Sequence, residues 1–165
     1  ISQLGDWFNS VAVYALLLDL TGSATAVAWM MIVQFLPMAV VGPLAGVVVD
    51  RVDRRRIMIA ADLIRGVLIL GLLLVRRPDQ VWIAYVVIAL AVSASAFFEP
   101  ARTATIPNIT SADELMPANA LSSATWSAML AVGASIGGWI TAASGREWAF
   151  VLNAGSFFVS AVFIS

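Results

Sequence analysis

The feature that most constrains the fold of this chain is the confinement of its charges to short clusters. Between the clusters run apolar segments of roughly 18 to 26 residues, and about 20 apolar residues span the hydrocarbon core of a bilayer. Hydrophobic residues make up 61% of the chain and charged residues 12%, whereas a soluble domain is about 45–50% apolar. We therefore predict an all-α membrane protein, a bundle of six transmembrane helices in contact with lipid.

Polar turns divide the chain into six expected spans that form one domain over residues 1–165. The spans are predicted at residues 1–18, 24–49, 57–75, 81–105, 117–143 and 148–165. The first and last spans are expected to be truncated, because each stops within an apolar run. The second and third spans are joined by a short loop and are expected to be antiparallel neighbours. Ser111 and Glu114 have the spacing of a capping box, which predicts a helix start there.

The composition excludes several functional classes. The chain has no cysteine and no histidine, so disulfides, thiol chemistry and the usual zinc ligands are not expected. Its net charge is -1 and it contains no long basic tract, so nucleic acid is not an expected partner. No cluster of catalytic side chains stands out in the pattern. We predict that the protein is not an enzyme and needs no cofactor.

An apolar helix ends in a dense cluster of charged residues, the charge cluster, in the stretch from Gly42 to Arg56. Gly42, Gly46 and Asp50 recur every fourth residue, so they share one face of a helix, where another backbone can approach closely. The arginines at the end of this stretch indicate the cytoplasmic side of the membrane; they are Arg51, Arg54, Arg55 and Arg56.

Asp6 is predicted to lie in the middle of the membrane. If Leu18 marks one surface, Asp6 is ~18 Å deeper at ~1.5 Å per residue. Such a carboxylate is a candidate for carrying a proton or recognising a cation in a central cavity. The alternative is a structural hydrogen bond between helices. Other polar or aromatic residues that could line the cavity, or serve packing instead, are Gln3, Asn9, Gln34, Asn119, Trp126 and Asn153.

Two further patterns predict contacts between or within helices. Asp62 and Arg65 are three residues apart, so they can form an ion pair on one helical face. The fifth span is rich in small residues, which favour close helix packing in membranes. Its packing positions are predicted to be Gly133, Gly137 and Gly138.

The charge cluster resembles a motif of the major facilitator superfamily. In that family, the loop between the second and third helices reads G-x-x-x-D-R-x-G-R-R/K. The matching residues are Gly46, Asp50, Arg51, Arg54 and Arg55, and Asp53 replaces the second glycine. Other segments resemble the macrolide-efflux and siderophore-exporter branch of proton-coupled exporters; they are residues 1–7, 21–23, 36–37 and 100–102. An antiporter pattern, G-P-x-x-G-G, is partly matched at residues 133–138, where Ala134 replaces the proline.

The resemblance implies the amino-terminal half of a twelve-helix transporter, with a carboxy-terminal six-helix half outside this chain. It implies export of a small amphipathic molecule across a bacterial inner membrane, by alternating access and with a proton gradient as the energy source. We also predict a cytoplasmic gate, in which Asp50 meets a helix end in the other half and Arg54 bridges to Glu99 on the fourth helix. The alternative to a gate is that these charges only fix the topology of the chain in the membrane. The alternatives to proton-coupled export are an uncoupled or importing transporter and a membrane scaffold that transports nothing.

Overall fold

The computed structural model describes residues 2–109, 111 and 114–165, with the side chains of residues 107–109 excepted. It is all-α, as predicted, and the described residues contain no β-strand. The helices are α1 (Ser2–Thr21), α2 (Ala24–Val49), α3 (Arg54–Leu70), α4 (Val81–Ile109), α5 (Leu115–Ser144) and α6 (Arg146–Ile164). Short 3₁₀ turns at Gly71–Leu74 and Pro78–Gln80 complete the link between α3 and α4.

The helices pack in an order that differs from their order along the chain. α1 lies against α5 and α6, α3 lies against α4 and α6, and α2 lies against α4. Within the described residues, α2 and α3 have no comparable contact, so the prediction that they are packing neighbours is wrong. The short loop between them brings only their ends together, and the side chains along their lengths decide which helices pack.

Five helices in the described part of the chain, α2 to α6, are long and apolar enough to cross a membrane. α1 was also expected to be a span but is not among them, because polar residues interrupt its apolar sequence. Its other face is nevertheless fully buried in the bundle, at Ala12, Val13, Leu16 and Leu17. Large apolar side chains are exposed on the outside, for example Trp82 at 63% and Trp139 at 71%. An outer surface of this kind suits lipid rather than water.

The link between α4 and α5 differs from the expected one at both ends. α4 continues to Ile109 instead of ending near Thr105, and α5 begins at Leu115. Ser111 is therefore not the N-cap of α5. Instead its hydroxyl and backbone N–H donate to Glu114 Oε2 at 2.6 and 3.1 Å. These two hydrogen bonds lower the pKa of the Glu114 carboxyl because they stabilise its ionised form.

Asp53 is the residue that begins α3. It is the N-cap, and its Oδ1 accepts a hydrogen bond from the backbone N–H of Arg56 at 3.0 Å. Its φ of -56° is accessible to any residue, so the turn does not require the glycine that the family motif has here. Where the family motif has a flexible glycine, this chain has a side chain that caps the helix.

Asp53→Ala should destabilise the protein by about 1 kcal/mol, because it removes the cap of α3. Asp53→Asn is the matched control, since its side-chain oxygen accepts the same hydrogen bond and should preserve most of the stability. Thermal unfolding of the detergent-purified protein, followed by circular dichroism, measures the difference. Equal melting temperatures for the alanine variant and the unsubstituted protein would contradict the capping role.

Candidate functional site

A cavity of about 300 Å³ lies between α1, α2, α3, α4 and α5. Its wall combines polar and aromatic side chains on an otherwise aliphatic surface. The polar residues are Asp6, Asn9, Ser10, Gln34, Arg65 and Ser95, and the aromatic ones are Trp7, Phe35 and Trp126. Four of the predicted cavity residues therefore lie together in one cavity, namely Asp6, Asn9, Gln34 and Trp126.

Asp6 faces the cavity and also the only arginine on its wall among the described residues. Its Oδ2 is 3.6 Å from Arg65 Nη1, and 44% of its side chain is exposed. Arg65 comes from α3, whereas Asp6 comes from α1, so the pair connects helices that are distant in sequence. Asp6 is thus partly neutralised and still open to the cavity.

Arg65 is held in place from several directions. It donates to Asp62 Oδ1 on its own helix and to Ser95 Oγ on α4 at 3.1 Å. Its guanidinium lies between the rings of Phe98 and Phe157, at 4.5 and 4.4 Å from their centroids. The Asp62–Arg65 pair is the one that their spacing predicts. The aromatic rings and the link to Asp6 depend on packing between helices, so their spacing in the sequence does not predict them.

Two tryptophans form the aromatic part of the wall. The rings of Trp7 and Trp126 meet edge to face, with centroids 5.5 Å apart and planes at 79°, a favourable geometry for aromatic pairs. Trp126 is a predicted cavity residue. Trp7 is not, although it directly follows Asp6, and a helical wheel that included aromatic residues could have found it.

Gln34 is fixed by side chains of α1. The Tyr14 hydroxyl donates to Gln34 Oε1, and Gln34 Nε2 donates to Ser10 Oγ at 3.4 Å. The amide is therefore bonded at both ends and ties α2 to α1 on the cavity wall. Tyr14 was not predicted from the sequence, because it is aromatic and has no charge to single it out.

Three of the predicted cavity residues lie outside the cavity. Asn119 is exposed near the start of α5, about 10 Å along the helix from Trp126 at ~1.5 Å per residue. Gln3 donates to Glu99 Oε1 at 3.4 Å, in a separate contact between α1 and α4. Asn153 is fully buried beside Gly5, where α6 meets α1. Polarity alone did not show which way each side chain points.

The expected bridge between Arg54 and Glu99 does not form, so this prediction is wrong. Arg54 Nη1 donates to the backbone carbonyl of Ala104 at 2.7 Å, and Glu99 instead pairs with Arg102 at 2.9 Å. Ala104 lies five residues beyond Glu99 on α4, more than one helical turn. The start of α3 therefore lies beside a later turn of α4.

The rest of the charged motif is exposed at the end of α2. Asp50 and Arg51 are both exposed, and neither side chain has a hydrogen bond or ion pair to the described residues. A cleft of about 570 Å³ lies beside them, lined in part by Asp53 and Arg54. Along the same helical face, a Cβ added at Gly42 or Gly46 would meet nothing within 4 Å.

The glycines of α5 differ in their surroundings. A Cβ at Gly133 would lie 2.9 Å from the carbonyl oxygen of Leu4, and one at Gly137 would overlap the backbone of Phe8. These two positions let α5 approach α1 closely. Gly138 has no neighbour within 4 Å of its added Cβ and takes no part in this contact.

The amino-acid sequence of this chain is similar to those of known membrane transporters. The profile of the Major Facilitator Superfamily matches residues 1–165. An uncharacterised transporter of this type from Bacillus subtilis, YfiS, is 30% identical over 165 residues, covering 99% of this chain and 39% of that protein. The putative bacilysin exporter BacE of B. subtilis is 34% identical over 134 residues, covering 81% of this chain and 33% of that protein.

Macrolide efflux protein A of Streptococcus pyogenes is 33% identical over 117 residues, covering 70% of this chain and 29% of that protein. The chain therefore spans less than half the length of these relatives. No solved structure matches the chain significantly.

Proposed function

Because this chain belongs to the major facilitator superfamily, we propose that it forms the cavity-bearing part of a secondary transporter that exports a small amphipathic molecule. The protein is a multi-pass membrane protein, and we place it in a bacterial inner membrane with residues 50–56 in the cytoplasm. Transport proceeds by alternating access, in which two helical bundles rock about a central site. The second bundle lies in a carboxy-terminal half that this chain does not contain.

The observation that supports this function is a half-exposed carboxylate on the wall of an open cavity between helices. An ionisable group inside a helical membrane bundle is costly, and such groups usually mark a path for ions or substrates. Asp6 is 44% exposed and lines the cavity between α1, α2, α3, α4 and α5. In our proposal, Asp6 exchanges a proton as the cavity opens to one side and then to the other, and the proton gradient drives export.

The cavity wall favours a substrate with both apolar and polar parts. Trp7, Phe35 and Trp126 supply broad apolar surfaces, while Gln34 and Asp6 supply hydrogen-bonding groups. Ligand sites generally combine apolar walls with a few polar groups in this way. Two relatives are described by name as a putative bacilysin exporter and a macrolide efflux protein, and we propose a substrate of comparable amphipathic character.

We assign the charged end of α2 to a cytoplasmic gate. Gly42 and Gly46 leave an open strip on α2, and Asp50 is exposed at its end. A helix of the second half can lie on this strip and direct its positive amino-terminal end at Asp50. Arg54 fixes α3 to α4 through Ala104, so its role is to hold the gate from within this half.

Transport by inside-out membrane vesicles that contain the full-length protein tests this function. The probes are a fluorescent lipophilic cation, a macrolide and a siderophore, each offered with and without an imposed proton gradient. Uptake into the vesicles that depends on the gradient would support proton-coupled export. Uptake that is the same with and without the gradient would indicate an uncoupled transporter. Movement of a probe out of the vesicles would indicate an importer, and no movement of any probe would favour a scaffold.

A further inference from the structure

Two carboxylates share one buried guanidinium at the centre of the bundle, and they share it unequally. Asp62 has no exposed side-chain surface and bonds directly to Arg65 Nη2. Asp6 lies 3.6 Å from Arg65 Nη1, and its side chain is 44% exposed. Arg65 itself is only 3% exposed. The arginine is therefore bonded mainly to Asp62, and Asp6 keeps a longer and weaker contact with it.

The packing around Arg65 prevents it from moving closer to Asp6. Phe98 and Phe157 enclose the guanidinium between their rings, and Ser95 accepts from Nη1 at 3.1 Å. Asp62 lies on the same helix as Arg65, so their contact does not depend on the position of α1. A shift of Arg65 toward α1 would weaken all of these contacts.

Among the described residues, Arg65 is the only positively charged side chain that pairs with Asp6. Glu99 of α4 has the same sign of charge as Asp6 and is already paired with Arg102. The charges of α6, Arg146 and Glu147, stand at its first turn. α5 contains no charged residue, and the cavity-facing polar residue of α2 is the neutral Gln34.

We propose that Asp62 and Arg65 are positioning residues for Asp6. Asp62 holds the guanidinium on its own side, so that Asp6 forms only a partial ion pair and stays available to a proton or a cationic group in the cavity. Without Asp62, the positive charge of Arg65 would act on Asp6 alone and keep it ionised. This inference rests on the proposed function, because it assigns the role of Asp6 in transport to a balance between two carboxylates.

Chemical labelling of Asp6 tests the proposal without requiring transport. Dicyclohexylcarbodiimide, an apolar reagent that reacts with protonated carboxyl groups, is applied to vesicles containing the full-length protein. Mass spectrometry of the peptide that contains residue 6 then gives the labelled fraction, with Asp6→Asn as the blank. In Asp62→Asn, labelling of Asp6 should fall about tenfold, the factor that about 1.4 kcal/mol of stronger pairing produces.

Two further variants separate positioning from a structural role. Asp62→Glu keeps the carboxylate and should preserve labelling of Asp6. The double variant Asp62→Asn with Arg65→Gln removes both charges and should restore labelling to the original level or above it. Size-exclusion chromatography of each variant shows whether it is folded.

Unchanged labelling of Asp6 in folded Asp62→Asn would overturn the proposal. If Asp62→Asn does not fold, the double variant decides, and labelling below the original level would overturn the proposal. Failure of the proposed function has a different signature. In that case the vesicles move no probe, while labelling of Asp6 still responds to Asp62 and Arg65 as described.

Discussion

Asp6→Asn should reduce gradient-driven efflux to the level of vesicles without the protein, while the variant still inserts and folds. Asparagine has the size and polarity of aspartate but cannot carry a proton between the two sides of the membrane. The substitution leaves no unpaired buried charge, because Arg65 keeps its contact with Asp62. The change is therefore specific to the chemistry of Asp6 and mild for the fold.

Asp19→Asn is the matched control for this experiment. Asp19 is also an aspartate of α1 with an arginine partner, Arg146, at 2.7 Å, but its side chain is 64% exposed at the other end of the helix. An exposed ion pair contributes at most about 1 kcal/mol, so efflux should persist in this variant. If Asp6→Asn also kept full gradient-driven efflux, Asp6 would be only a structural hydrogen-bonding group.

Gly137→Ala should disrupt the packing of α5 on α1 and strongly destabilise the protein. The added Cβ would overlap Phe8 Cα and Cβ and lie 2.8 Å from the Phe8 carbonyl oxygen. Because these atoms belong mostly to the backbone, a change of side-chain rotamer cannot relieve the clash. We expect a loss of about 3 kcal/mol, the upper part of the usual range for overpacking. Thermal unfolding of the detergent-purified protein measures it.

Gly138→Ala is the control for this substitution. It makes the same chemical change one residue along the same helix, but its added Cβ meets nothing within 4 Å. We expect its stability to be unchanged or to rise by up to about 1 kcal/mol, because alanine favours a helix more than glycine does. Equal melting temperatures for the two variants would show that α5 can withdraw from α1 without cost, which the close contact argues against.

The membrane-protein class could be predicted well from the sequence because it depends on local properties. Long apolar segments indicated the helices, and the charge cluster indicated the turn between α2 and α3. The errors at the link between α4 and α5 were also local. Ser111 and Glu114 do bond to each other, but they close a turn before α5 instead of capping it.

The cavity was predictable only in part. Asp6 and Asn9 were both cavity candidates because they are polar residues of a membrane helix, and both line the cavity. The same reasoning wrongly included Asn119, because a polar residue on a separate helix carries no information about its orientation. Trp7 and Tyr14 were missed because aromatic residues in membrane helices usually face lipid or the core.

The sequence by itself determined that the chain forms apolar helices and that Asp62 and Arg65 can pair. These properties depend on composition and on contacts within one helix. Only the tertiary structure decided that Asp6 meets Arg65, that Arg54 binds the carbonyl of Ala104, and that α2 packs on α4 and not on α3. Contacts between helices follow from the shapes of packed surfaces, which residues distant in sequence create together.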